Sequence, residues 1–416
     1  MTPETFLSGR VTLWPGDVRA ALAAMEPDSV DCIVTSPPYW GLRDYGVAGQ
    51  IGLEPTLAEH LAVMVEVFDL ARRALKPTGT LWLNYGDCYA TAPNGRSAAE
   101  TKSAGGDDRA FRDKPFSTVG GGLKPKDLCM IPNRLAIALQ DAGWWVRSEI
   151  IWGKTNPKPD SSGAYRPSTA HEKIFLLTKS DSAEVWRARD TGEICFAPDL
   201  SERCPLVTHP ERNGPRWLRM GAYYDAEAVR VEAAPASVRR WAQDIDSQQG
   251  SVRANGGAKT NGTMKAVGGA RDKQRGHSRR HAGFNDRWDA MGREEQCANG
   301  RYLRNYEPAP LTIWPMGTKP FSEAHFATFP PELATRCISA GCPPGGLVLD
   351  PFGGAGTTAL SALRLGRRAA LVELNPEYAA IARRRIEADW AGPMARSLRG
   401  ESAVGHGPLF GGEAAE

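Results

Sequence analysis

The sequence predicts an α/β architecture with a mostly parallel sheet. Two observations carry this. Apolar runs of strand length alternate along the chain with longer runs of helical periodicity. The two segments richest in chemistry each stand directly after one of the short runs. Open α/β sheets bind ligands at the carboxyl ends of their strands, so both segments are expected on one edge.

The expected strands, in order, are Val11–Trp14, Val30–Val34, Thr80–Leu83, Val146–Trp152, Lys173–Leu177, Leu347–Leu349 and Ala370–Leu374. Helical runs separate most of them. One spans Leu57 to Leu75, with Leu57, Leu61, Val65 and Phe68 expected on its buried face. Another runs from Thr357 to Leu365 and is closed by Gly366 as a C-terminal cap. Asn375-Pro376 then opens a helix, with Asn as N-cap and Pro at the first helical position.

The first chemical segment is D-S-V-D-C-I-V-T-S-P-P-Y-W, from Asp28. Two prolines fix φ and remove two backbone donors. Around Ser36-Pro37-Pro38 the main chain therefore offers carbonyls, Ser36 adds a hydroxyl, and Tyr39 adds a π face. A planar ring bearing an NH2 group suits such a loop. Taken alone, S-P-P-Y is equally an ordinary strand-ending turn.

The second segment resolves that choice. After Leu347–Leu349 come Asp350, Phe352, Gly353, Gly354, Gly356 and Thr357, then a helix, a strand and Glu373, 23 residues after Asp350. Strand, glycine turn, helix, strand and acid is the layout of a nucleoside-cofactor site. Glycines admit close backbone approach, and the carboxylate suits ribose hydroxyls.

D-P-F-G-G-A-G-T-T is similar to the S-adenosylmethionine motif of amino-methylating DNA methyltransferases, and V-T-S-P-P-Y-W to their catalytic motif. The order, catalytic motif first, resembles the permuted beta group of that family. The segments L-N-Y-G-D, A-H-E-K-I-F and Y-Y-D-A-E-A-V-R fall in family order. The resemblance implies a Rossmann-like, seven-stranded, circularly permuted sheet built from 1–180 and 308–390. Residues 181–307 read as an insertion and target-recognition region, whose irregular first part, 181–222, departs from the family pattern, and the Gly/Ala/Glu-rich 391–416 reads as a flexible tail. S-adenosylmethionine is the implied cofactor, held by Asp350, Phe352, Gly353, Gly354, Gly356, Thr357 and Glu373, with Asp17 at the adenine amine. Ser36, Pro37, Pro38 and Tyr39 are the implied catalytic residues. The implied substrate is double-stranded DNA with its target base flipped out. Serine before Pro-Pro-Tyr favours cytosine N4, with adenine N6 as the alternative.

Asn84 and Asp87 are expected to support the site, and His171 and Glu172 to fix the sheet. Trp40 and Trp152 are expected in the core. An RNA or protein methyltransferase is disfavoured by the permuted order. A silent DNA-binding module is disfavoured by the intact motifs.

Charge is uneven. The net charge is +3, yet Ser237 to Arg304 carries fourteen Lys/Arg against seven Asp/Glu. This stretch is irregular and Gly/Asn-rich, and suits a polyanion. Arg271, Lys273, Arg275, Arg279 and Arg280 are its candidate DNA contacts. No segment has the apolar length of a membrane span, and the start lacks a signal-peptide pattern. The eight cysteines show no C-x-x-C, which points to a reducing, cytoplasmic setting. Cys195, Cys204 and His209 match no standard zinc spacing, so no metal is expected. A cognate restriction enzyme is a candidate partner, and the chain is expected to act as a monomer or homodimer.

Overall fold

A computed structural model describes residues 2–91, 116–157, 166–188, 194–196, 217–230, 311–318 and 329–392. The strands are β1 (Glu4–Phe6), β2 (Val11–Pro15), β3 (Val30–Thr35), β4 (Leu75–Tyr85), β5 (Trp145–Lys154), β6 (His171–Thr178), β7 (Ala183–Ala188), β8 (Ile194–Phe196), β9 (Trp217–Gly221), β10 (Ile313–Met316), β11 (Leu347–Asp350) and β12 (Arg368–Glu373). The α-helices are α1 (Val18–Ala24), α2 (Leu57–Ala74), α3 (Ile131–Asp141), α4 (Pro331–Gly341), α5 (Thr357–Arg364) and α6 (Pro376–Ala391).

The main sheet has the order β1-β2-β12-β11-β3-β4-β6-β5-β10. The seven expected strands form its contiguous middle. The edge strands β1 and β10 extend it to nine, a correction to the expected count. Among the seven, β6 runs antiparallel to both neighbours and the rest are parallel. Strands from before residue 180 and after residue 310 interleave, with β11 and β12 inserted between β2 and β3. That arrangement is the permutation expected from motif order.

Side chains alternate across the sheet as the two-residue strand period requires. Ile33, Leu81 and Leu83 face one core with α1, α2 and α3. Cys32, Val34 and Trp82 face the other with α4, α5 and α6. Strands buried on both faces read as continuous apolar runs, which explains V-D-C-I-V-T.

The buried stripe of α2 differs from the expected one. His60, Met64, Val67, Phe68, Ala71 and Ala74 are buried, while Leu57, Leu61 and Val65 are half-buried. The cause is His60, a polar residue that the apolar pattern passes over. Thr56 and Glu59 close a capping box at the start of this helix. Asn375 caps α6 by accepting from Glu377 N at 2.9 Å. Gly366, at φ +71°, ends α5 as expected.

The 181–222 stretch departs from its irregular expectation: β7, β8 and β9 form a separate antiparallel sheet of order β8-β7-β9. Tyr223 N and Asp225 N donate to Thr78 O and Ala340 O, tying the following segment to β4 and α4. Arg271, Lys273, Arg275, Arg279, Arg280, Cys204 and His209 lie outside the described residues, as does 393–416. Among the described residues no helix is long and apolar enough to cross a membrane, and no group of three or more His, Cys, Asp or Glu could hold a metal ion.

Candidate active site

Because β2, β3, β4, β11 and β12 are parallel, their carboxyl ends share one edge. A cavity of about 960 Å³ opens there. Ser36, Pro37, Pro38 and Tyr39 line it, together with Asp17, Asp350, Phe352, Gly353, Gly354, Thr357 and Glu373. The two sequence segments, more than 300 residues apart, meet on its walls. Asp350 makes the join: its carboxylate accepts from Thr35 Oγ1 at 2.7 Å and from Thr358 Oγ1 at 2.6 Å. It also accepts from Phe352 N at 3.1 Å. With both oxygens engaged, Asp350 fixes the glycine turn to the tip of β3. Burial pushes its carboxyl above the usual range, and these hydrogen bonds work against that rise.

At the turn, Gly353 N donates to Val372 O at 2.8 Å. A Cβ on Gly353 would stand 3.1 Å from Leu371 Cβ. Gly354 has φ +50° and donates to Glu373 Oε2 at 2.8 Å. Asn375 N donates to Glu373 Oε1 at 2.8 Å. Two backbone donors thus aim the acid at the cavity, where burial raises its pKa. Gly356, at φ +77°, is the N-cap of α5, and a Cβ there would meet Ala382 and Ile386 of α6.

Asp17 also does structural work. Its Oδ1 accepts from Arg19 N and Ala20 N, capping α1, and its Oδ2 pairs with Arg19 at 3.0 Å. Burial opposes its charge, but the Arg19 side chain and the helix amides outweigh that and hold the carboxyl below its usual pKa.

On the opposite wall, Ser36 Oγ donates to Tyr39 Oη at 3.2 Å, and Tyr39 Oη donates to Glu172 Oε2 at 2.8 Å. Lys154 Nζ donates to Glu172 Oε1 at 2.6 Å. Burial, with Glu172 beside it, pushes the Tyr39 hydroxyl well above its usual pKa, so it stays protonated. One face of the Tyr39 ring stacks on Tyr85, with centroids 4.6 Å apart.

Glu172, expected only to fix the sheet, also reaches the cavity. It does so because β6 is antiparallel: its first residues stand where the other strands end. Trp152 is buried and lines the cavity as well. Trp40 is core, with Nε1 donating to Glu54 O. Asn84 lines the cavity, with Tyr39 Oη 3.5 Å from its Oδ1. Asp87 instead accepts from Ile131 N at the start of α3. Tyr45 and Tyr378, which no motif singled out, line the cavity near Glu373. Burial raises the Tyr378 pKa to about 12.

The family of N6 and N4 DNA methylases matches residues 30–384. The chain belongs to that family. It is 35% identical over 378 residues to the type II methyltransferase M.Cfr9I of Citrobacter freundii, covering 91% of this chain and 88% of that protein. It is 33% identical over 371 residues to the type II methyltransferase M.SmaI of Serratia marcescens, covering 89% of each. Among solved structures, PvuII DNA methyltransferase (cytosine-N4-specific) aligns over 94% of both chains with a TM-score of 0.47 and 14% identity. The methyl donor of the amino-methylating family is S-adenosylmethionine. The turn fits a nucleoside donor. It has a glycine whose Cβ would crowd β12, 3.1 Å from Leu371 Cβ, a left-handed glycine beside it, and a carboxylate aimed by two amides.

Proposed function

We propose that this DNA methyltransferase methylates the exocyclic N4 amine of cytosine in double-stranded DNA, within a flipped-out base. The observation that supports this reading is the convergence of the Ser36–Tyr39 loop and the Gly353 turn on one cavity. When bound, S-adenosylmethionine supplies a methyl group already activated on a sulfonium. The protein's task is alignment and charge stabilisation.

In this reading, the Ser36 and Pro37 carbonyls accept the amine hydrogens and draw the nitrogen toward tetrahedral geometry. Tyr39 holds the base by its ring. Glu373 and the Gly353–Gly354 backbone hold the ribose end of the donor, with Asp17 and Phe352 beside its adenine. Asp350 and Thr357 keep the turn in shape.

Ser36 supports cytosine because a neutral hydroxyl can donate to a ring acceptor, which an ionised carboxylate cannot. Adenine N6 is the second reading, because adenine also presents an amine beside a ring acceptor. Arg271, Lys273, Arg275, Arg279 and Arg280 would track the phosphates. The type II names of the relatives support a cognate restriction enzyme as a partner, and a cytoplasmic, monomeric or homodimeric enzyme fits this role.

The test is nucleoside mass spectrometry of DNA from a host expressing the chain, alongside labelled-methyl transfer to DNA, RNA and protein. N4-methylcytosine is expected. N6-methyladenine alone would overturn the base assignment, and label only in RNA or protein would overturn the substrate.

A further inference from the structure

We propose that Glu54, His60 and Tyr85 form a buried hydrogen-bonded clamp that positions the Ser36–Trp40 loop. The clamp lies beneath the cavity wall, and the transfer scheme above does not use it. His60 has no exposed side-chain surface, and Glu54 is 13% exposed. A histidine buried to this degree in an apolar helix face needs a polar account.

Hydrogen-bond valence supplies that account. A tyrosine hydroxyl has one hydrogen and two acceptor positions. Three groups surround Tyr85 Oη: Trp40 N at 3.0 Å, Pro38 O at 3.2 Å and His60 Nε2 at 2.8 Å. The Trp40 amide can only donate, and the Pro38 carbonyl can only accept. Tyr85 Oη accepts from Trp40 N and donates to Pro38 O, and His60 Nε2 completes its three contacts.

On the other side of the ring, His60 Nδ1 is 2.8 Å from Glu54 Oε2. The Glu54 oxygens also accept from Gly52 N at 3.1 and 3.0 Å. Burial opposes the charge on Glu54, but the hydrogen bonds to His60 and Gly52 outweigh it and hold the carboxyl below its usual pKa, so Glu54 is ionised and accepts from Nδ1. The titratable neighbours of Tyr85 are Glu54, Asp87 and Cys88. Burial raises the Tyr85 hydroxyl pKa well above its usual value, so it stays protonated.

The clamp holds three points of one loop. Pro38 and Trp40 are gripped by the Tyr85 hydroxyl, and Tyr39 lies on the Tyr85 ring. Gly52 and Glu54, where the loop returns, are gripped through Gly41 N to Gly52 O and Trp40 Nε1 to Glu54 O. The Pro38 carbonyl is consumed from below, which leaves Ser36 and Pro37 as the carbonyls for the substrate amine. The inference rests on reading this loop as the catalytic one, but the clamp's hold on the Trp40 amide can be measured without turnover.

Tyr85→Phe keeps the ring under Tyr39 and removes the hydroxyl that holds the Trp40 amide. Hydrogen exchange of the Trp40 amide should be at least about tenfold faster in this variant. The substitution should lower kcat about ten- to a hundredfold, the usual cost of a small misplacement. The Kd for S-adenosylmethionine and the KM for DNA should change by less than about twofold. Unchanged exchange at Trp40 in folded Tyr85→Phe overturns the grip on the loop. Wild-type kcat in Tyr85→Phe overturns the positioning role.

Discussion

At the scale of single residues, Gly353 is the sharpest position. A valine there would drive its branches into Leu371 and Val372, since even a Cβ would sit 3.1 Å from Leu371 Cβ. Gly353→Val should abolish S-adenosylmethionine binding by calorimetry, with the far-ultraviolet circular dichroism preserved. Glu373 makes a second test. Burial raises its folded pKa above the unfolded value, so the folded state binds this proton more tightly. The charged acid therefore costs stability above the raised pKa, and that cost fades as pH falls through it. In Glu373→Gln the amide nitrogen faces one of the two backbone donors at a cost that does not depend on pH, so in ligand-free protein the Tm of the variant relative to wild type should fall as pH drops from 7.5 toward 5. A constant difference across that window would refute the assignment. For Tyr39, loss of the ring in Tyr39→Ala should remove about 1–3 kcal/mol of base stacking. Tyr39→Phe keeps the stack on Tyr85 and severs only the Ser36–Tyr39–Glu172 chain, so kcat/KM should stay much closer to wild type. Equal losses in the two variants would assign the work to the hydroxyl. Ser36–Tyr39 is readable because its chemistry is contiguous in sequence. Glu172 is not, because its access depends on the direction of β6, which an apolar run does not encode. His60 escapes because a periodicity argument counts apolar residues only.

At the scale of elements, the central strands β3, β4, β6, β11 and β12 are legible because burial on both faces leaves long apolar runs. The edge strands are not. In β1 (E-T-F) and β10 (I-W-P-M) exposed and buried positions mix, and Ile313 is exposed. The packing of α4 on the sheet is equally invisible, since it turns on one glycine. Gly341 closes that helix against β4, where its carbonyl accepts from Thr80 Oγ1 at 3.0 Å and Thr80 Oγ1 accepts from Trp82 Nε1 at 3.1 Å. An added Cβ would collide with both side chains. Gly341→Ala should therefore cost about 1–3 kcal/mol in urea unfolding, the usual scale for overpacking. A neutral result would show that α4 can shift away from Trp82 freely.

At the scale of the whole molecule, the permutation sets how the work is divided. In the proposed reading the catalytic loop comes from β3 and the cofactor turn from β11, adjacent strands separated in sequence by the insertion and the basic stretch. A sheet whose neighbours come from distant segments tolerates a long intervening stretch, because loop-closure entropy grows only slowly with length. That stretch is where the positive charge collects: fourteen Lys/Arg against seven Asp/Glu over 237–304, in a chain of net charge +3. In the proposed reading this stretch, distant in sequence from the cofactor turn, carries DNA affinity separately from cofactor affinity. Each neutralised phosphate releases counterions, so log K falls with log salt by about 0.9 per phosphate. Replacing Arg271, Lys273, Arg275, Arg279 and Arg280 together with Gln should weaken DNA binding and flatten that slope by about 0.9 for every phosphate no longer neutralised. The Kd for S-adenosylmethionine, measured without DNA, should not move. An unchanged slope would place the phosphate track on another part of the molecule, and a changed cofactor affinity would show that the two sites are coupled.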